Sequence, residues 1–209
     1  MMNFQMGDAQ LDIRTVVGGP VAVNTYIVSA KENDSCLIID PGAETEKVAA
    51  AVGGRRVSAV LLTHAHFDHM FYAAHWLGKG AKLYVHTMDV PALTDPELNL
   101  CAMIRSSLII EEKPVSVTEG SMIDEAGLTL TVLHTPGHTP GSVCYLCGGV
   151  LFSGDTLFYH SYGRVDFVGG SMSQMSASLL RLYQLDEETA VYPGHGSKTK
   201  IAWERGMFL

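Results

Sequence analysis

Four side chains able to hold a metal ion stand within six residues, His64-Ala65-His66-Phe67-Asp68-His69. Neutral imidazoles and a carboxylate are good donors to zinc and similar divalent ions, and packing gives no reason for so many polar groups together. They follow an apolar run, Val57-Ser58-Ala59-Val60-Leu61-Leu62, that ends at Thr63. The run is short and rich in aliphatic residues, and Gly53-Gly54 precedes it, so it predicts a buried strand that delivers the donors at its end. Alternation along an extended chain aims His64 and His66 the same way while Phe67 packs beneath. Asp68 and His69 open the next segment, expected as a helix through Met70 to Leu77.

Function gathers on loops held by a rigid scaffold, so further donors should also lie at strand ends. Three later stretches fit. Leu128 to Leu133 alternates and runs into His134-Thr135-Pro136-Gly137-His138; Val150 to Ser153 runs into Gly154-Asp155; Ala190-Val191-Tyr192 runs into Pro193-Gly194-His195-Gly196. Each apolar strand brings one or two donor-type residues to a turn marked by Gly or Pro.

In this order, His-x-His-x-Asp-His, Thr-Pro-Gly-His, Ser-Gly-Asp-Thr and Pro-Gly-His-Gly resemble the metallo-β-lactamase fold superfamily, and within it the glyoxalase II-like (hydroxyacylglutathione hydrolase-like) enzymes. The likeness covers nearly the whole chain. It implies a four-layer αββα sandwich of mixed α/β class and a single domain over residues 1–209. It also implies that His64, His66 and His138 hold one metal ion, that Asp68, His69 and His195 hold a second, and that Asp155 bridges both. Two divalent ions about 3.5–4 Å apart can share a water, lower its pKa towards ~7 and clamp the nucleophile and oxyanion of an acyl transfer. Asp68 is in addition the candidate catalytic base. The implied reaction is cleavage of a small thioester, ester or lactone by a hydroxide between two zinc ions, with iron or manganese also compatible with such donors.

The resemblance assigns roles outside the donor set. Asp40, in Ile39-Asp40-Pro41-Gly42, matches a position that supports the donor loop, and carboxylates commonly fix imidazole orientation in this way. Arg164 matches a basic residue that contacts the substrate's anionic part in the glyoxalase II-like group, and His160 and Tyr162 are candidates to line the pocket. In the thioester hydrolases an aromatic residue stands two places after that basic residue; here it is Asp166, which argues against the same anionic contact. Full-length glyoxalase II enzymes also continue into a helical domain that supplies much of their glutathione recognition, whereas only fourteen residues of the 209 follow His195. A large glutathione site of that type is therefore not expected.

Bulk properties narrow the function further. At 209 residues and 47% apolar composition the chain can bury a sizeable core. A net charge of −8 and only 14 Lys plus Arg disfavour a nucleic-acid partner, which leaves a small-molecule substrate. No apolar run approaches the ~18 residues of a membrane span, and the start from Met1 to Met6 does not read as a signal peptide. A cytoplasmic location is the expectation. Cys144-Tyr145-Leu146-Cys147 lies in a strand-like run, where residues three apart face opposite sides, so all four cysteines are expected as free thiols.

The remaining segments read as scaffold. Leu11–Val17, Val21–Val28, Cys36–Asp40 and Lys82–Val85 are strand-like, Glu44–Val52 is helical and ended by Gly53-Gly54, and Ser171-Met172-Ser173-Gln174 resembles a capping box opening a helix. Residues 91–119, broken by Pro91, Pro96 and Pro114, form an insertion with a short helix expected over 98–108. A closing helix is expected over Lys198 to Phe208. His75 and His86 have no partner motif and read as structural.

Three rivals share parts of the pattern. Persulfide dioxygenases use one iron held by two histidines and an aspartate, but carry alanine where Gly194 stands. Flavodiiron oxygen reductases replace the second histidine with glutamate, against His66. A nuclease of the tRNA-processing type is disfavoured by acidity. β-Lactamase activity is not expected, since typical zinc β-lactamases carry cysteine at the position of Asp155.

Overall fold

The computed structural model describes residues 11–207; Met1 to Met6, Phe208 and the ends of the expected 1–209 domain lie outside the described residues. The first half runs β1 (Leu11–Gly18), β2 (Val23–Ala30), β3 (Ser35–Ile39), α1 (Thr45–Val52), β4 (Arg56–Leu61), α2 (Phe67–Met70), α3 (Ala73–Leu77), β5 (Lys82–His86) and β6 (Val115–Val117), and its strands form one sheet in that order. The second half runs β7 (Met122–Glu125), β8 (Leu128–His134), β9 (Val143–Cys147), β10 (Val150–Gly154), β11 (Leu157–Phe158), β12 (Ser161–Tyr162), α4 (Met172–Leu182), β13 (Ala190–Pro193), β14 (Thr199–Lys200) and α5 (Ile201–Glu204). Its main sheet has the order β14-β13-β10-β9-β8-β7, with β11 and β12 a separate hairpin.

Period-two burial explains the layering. Val28, Leu37, Ile39 and Leu61 face inward and meet Leu130, Val132, Tyr145 and Phe152 of the second sheet. Ile27, Ile38 and Val60 face outward and pack under α1 and α3 with Val48, Trp76 and Leu77. On the far side Cys144, Leu151 and Val191 pack against Met175, Leu179 and Leu182 of α4. The result is the expected αββα sandwich. Cys144 and Cys147 fall in different layers, as three-residue spacing on a strand requires, and all four cysteines are free and buried.

Several elements depart from the sequence expectation. The helix expected through Met70 to Leu77 is interrupted, because the Tyr72 N–H donates to Pro41 O at 2.9 Å instead of within the helix. The short helix expected over 98–108 is a single 3₁₀ turn, Cys101–Ile104, closed at both ends by Leu100 and Arg105 in the left-handed region. The closing helix is reduced to α5, since Thr199 is drawn into pairing with Val191. Strands β6 and β7, at the edges of the two sheets, were not evident in the sequence. α1 and α4 match: Gly53 ends the first in the left-handed conformation, and the Ser171 hydroxyl accepts from the Gln174 N–H at the start of the second.

Candidate metal centre

β4 and β10 each run parallel to a neighbour, β4 to β3 and β5 and β10 to β13, so the loops that follow them open at one edge of the sandwich. Cross-links lock these loops together. The Val143 N–H donates to Thr63 O (2.8 Å), Asn24 N–H to Gly194 O (2.7 Å), and Gly194 N–H to Gly154 O (2.8 Å). Asn24 Nδ2 and Tyr26 Oη both donate to Pro193 O, at 2.9 and 2.6 Å, and Tyr145 Oη donates to Leu62 O at 2.7 Å.

All seven side chains singled out as donors converge at this edge. Their donor atoms group as His64, His66 and His138; His64, His69 and Asp155; and Asp68, His69 and His195. His66 Nδ1 lies 2.9 Å from His138 Nε2, and His69 Nε2 lies 3.3 Å from His195 Nε2. Asp155 stands between the groups, with Oδ1 3.3 Å from His69 Nε2 and Oδ2 3.6 Å from His138 Nε2 and 3.7 Å from His195 Nε2. Asp68 Oδ2 is 3.2 Å from His195 Nε2. Donors about 2.1 Å from one tetrahedral ion sit roughly 3.4 Å apart, so these separations fit ions held between the side chains.

The hydrogen bonds behind the rings fit as well. His69 Nδ1 is 2.9 Å from Asp40 Oδ2 and His138 Nδ1 is 2.7 Å from Arg164 O, so each ring's proton is held on Nδ1 and the Nε2 lone pair faces inward. His64 is buried, and its Nε2 has no hydrogen-bond partner among the described residues. A buried imidazole nitrogen left without a partner is costly unless something else fills the place. A divalent ion does so.

The charge pattern follows from burial and neighbours. Burial, helped by the other histidines, holds His64 well below the usual range and brings His66 down to about 3, so both are neutral. Burial also opposes a charge on His69, but the carboxylates of Asp155, Asp68 and Asp40 outweigh it and raise its pKa. Burial would raise Asp68 and Asp155; His69 and His195 nearby hold both below the ordinary carboxylate range, hence ionised. His64 and His66 as neutral nitrogens and Asp68 and Asp155 as ionised oxygens are in the forms that bind metal, and the carboxylates that draw a proton onto His69 would equally draw a divalent ion in its place.

Two glycines permit the approach. A Cβ on Gly42 would strike Asp68 O, and one on Gly194 would strike the Asp155 carboxylate and stand 2.6 Å from His69 Cε1. Asp40 accepts from Thr63 N–H (2.8 Å) and Thr63 Oγ1 (2.7 Å) besides His69, which places it directly behind the donor loop.

The remaining candidates stand outside the donor set. The Arg164 guanidinium is exposed and pairs with Asp166. Tyr162 is half-buried and packs with the cluster beneath α4, and His160 turns toward Glu204 of α5. His86 stacks on His134 at 4.1 Å and His75 lies beside Trp76, both apart from the donor groups.

One buried carboxylate had escaped notice. Asp89 accepts from Ala65 N–H (3.0 Å), Thr139 Oγ1 (2.8 Å) and Gly141 N–H (2.7 Å), joining the loop of His64 and His66 to that of His138. It sits in an irregular 3₁₀ stretch, Thr87–Leu93, with no motif around it.

The chain is similar to known proteins. The Metallo-beta-lactamase superfamily model matches residues 18–195. The "Probable metallo-hydrolase YqgX" of Bacillus subtilis is 34% identical over 90% of this chain and 91% of its own length. A hydroxyacylglutathione hydrolase of Aeromonas hydrophila is 35% identical over 86% of this chain but only 64% of that enzyme. Among solved structures, the BLEG-1 B3 metallo-beta-lactamase superposes with a TM-score of 0.85 at 33% identity, covering 92% of this chain and 96% of that one. TTHA1623 in a di-iron-bound form gives 0.81 at 36%, covering 93% and 98%. ETHE1 from Myxococcus xanthus gives 0.73 at 28%, covering 94% and 82%.

Proposed function

Since the chain belongs to the metallo-β-lactamase superfamily, we propose that it is a binuclear metal-dependent hydrolase, forming one domain, that cleaves a small thioester, ester or lactone. The observation that carries this reading is the pair of donor triads, His64, His66 and His138 beside Asp68, His69 and His195, with Asp155 within 4 Å of members of both. Two divalent ions held there would acidify a shared water and stabilise the oxyanion of acyl transfer.

The chain's own residues do the rest. Asp155 spans both triads because a carboxylate offers two oxygens. Asp68 is kept ionised, and its carboxylate would accept the proton of the attacking water. Asp40 and the Arg164 carbonyl hold the protons on the far nitrogens of His69 and His138, which fixes both rings. The His195 side chain, 25% exposed, marks the open side from which substrate enters.

Zinc is the first expectation for the ions. The di-iron form of TTHA1623 favours iron as the alternative, and with one iron the reading shifts to a persulfide dioxygenase. Elemental analysis of untagged protein purified without chelators separates these: about two zinc ions per chain supports the hydrolase. A panel of thioesters, lactones and a β-lactam then identifies the substrate, the last included because of the BLEG-1 likeness. Asp155→Ala should lose at least one ion and reduce turnover by about a thousandfold or more. Full activity and full metal content in that variant would refute the reading.

A further inference from the structure

The residues beside the donors carry a statement about which substrate is admitted. Resting on the hydrolase reading above, we propose that the site selects uncharged, apolar thioesters, and that Asp166 enforces this by occupying the guanidinium of Arg164 at the mouth of the metal centre.

Arg164 is fastened to the centre through its carbonyl, which accepts from His138 Nδ1. Its guanidinium lies 4.3 Å over the ring of Phe167, and that ring stands 5.7 Å from His66 and 6.0 Å from His138. A free guanidinium in this place would capture a substrate carboxylate through two parallel N–H bonds. Here Nε donates to Asp166 Oδ1 at 2.9 Å and Nη2 to Asp166 Oδ2 at 2.8 Å, so the fork is already filled. The Asp166 side chain is 64% exposed, so an incoming anion meets a carboxylate where it would otherwise meet an unpaired cation.

The other wall of the mouth is apolar. Phe67, placed between His66 and Asp68, is buried with Leu100 and Cys101, and half-buried Phe71, Leu108 and Phe167 pack on the same cluster. The insertion that supplies Leu100 and Leu108 is bolted to the donor loop, since Phe67 N–H donates to Asn99 O at 2.8 Å. The fully buried Asn99 in turn donates through Nδ2 to Ala92 O and Leu108 O. A hydrocarbon chain entering beside His66 meets these side chains, and a carboxylate meets a guanidinium already paired with Asp166.

The test compares two thioether probes on the metal-loaded chain by calorimetry, anionic S-hexylglutathione and neutral S-hexyl-N-acetylcysteamine. Turnover of the matching hexanoyl thioesters is followed in parallel. Wild type should bind the neutral probe more tightly. Asp166→Asn should shift the affinity ratio toward the anionic probe by about fivefold, and KM for the glutathione thioester should fall in step while kcat moves little. Adding Arg164→Met should abolish the shift, which a merely structural role for Asp166 would not do. A ratio unchanged within twofold, or wild type already preferring the anionic probe, overturns the proposal. If neither thioester is turned over, the thioester branch of the hydrolase reading fails, and the binding ratio alone still decides whether Asp166 sets the charge preference.

Discussion

The two halves of the sandwich supply the site in opposite ways. The first sheet sends four donors from one loop after β4, while the second sends three, one each from the loops after β8, β10 and β13. In the first half local backbone fixes the spacing of the donors. In the second, sheet register does, through pairings such as Gly154 with Pro193. Two buried carboxylates divide along the same line. Asp40 works inside the first half, on Thr63 and His69; Asp89 works across the halves, on Ala65, Thr139 and Gly141. Asp40 therefore touches a donor directly, His69, whereas Asp89 reaches the donor loops only through backbone and hydroxyl groups, and the comparison can be broken experimentally.

The largest effect is expected at Asp40. Its φ of 52° lies in the left-handed region that asparagine tolerates, so Asp40→Asn should leave the backbone in place while removing the charge behind His69 and one of the two oxygens that accept from Thr63 and His69. Metal affinity of the Asp68, His69 and His195 triad should fall by about 10–100-fold in competition titrations, with the other triad less affected.

Asp89→Asn should act on the opposite triad and more weakly. The amide cannot accept at both ends, so one donor among Ala65, Thr139 and Gly141 is left unpaired, at a cost of about 1–2 kcal/mol in denaturation of the metal-free protein. Affinity at His64, His66 and His138 should fall by roughly fivefold. Equal losses at both triads in either variant would show that the halves are not supported separately.

The smallest effect concerns a carboxylate that joins the sheets without contacting a donor. Glu125 of β7 accepts from Lys82 Nζ (2.6 Å) and Tyr84 Oη (3.0 Å) of β5. Burial alone would raise its pKa, but Lys82, Ser58 and Tyr84 hold it below the ordinary value. A carboxylate depressed in the folded state stabilises above its unfolded pKa of about 4.3 and loses that contribution as pH falls through the folded value. Glu125→Gln should therefore cost about 1 kcal/mol at pH 7, the exposure of Lys82 limiting it, and the difference from wild type should vanish in acid. A difference that persists below the folded pKa would assign the cost to packing.

The donor loop was the most legible part of the molecule. His64, His66, Asp68 and His69 are near neighbours in the chain, so their spacing already states what they can hold, and alternation and turn residues marked the strand ends carrying His138, Asp155 and His195. Those patterns report burial period and backbone direction, which act over a few residues. The family and the layers of the sandwich came instead from the resemblance carried by the four ordered motifs. The same rules read Met70 to Leu77 as one helix, because nothing local announces that Pro41 will take the Tyr72 N–H.

Asp89, the seating of the 91–119 insertion on Phe67, and the turning of His160 toward Glu204 were decided only in the folded chain. So was the closing of Arg164 on Asp166, although both residues stand two apart in the sequence. A side chain's partner is set by which surfaces the sheets bring together, and Asp89 reaches Thr139 across 50 positions of sequence. Sequence alone determined which groups could do the chemistry; long-range packing decided which of them are held, oriented and neutralised.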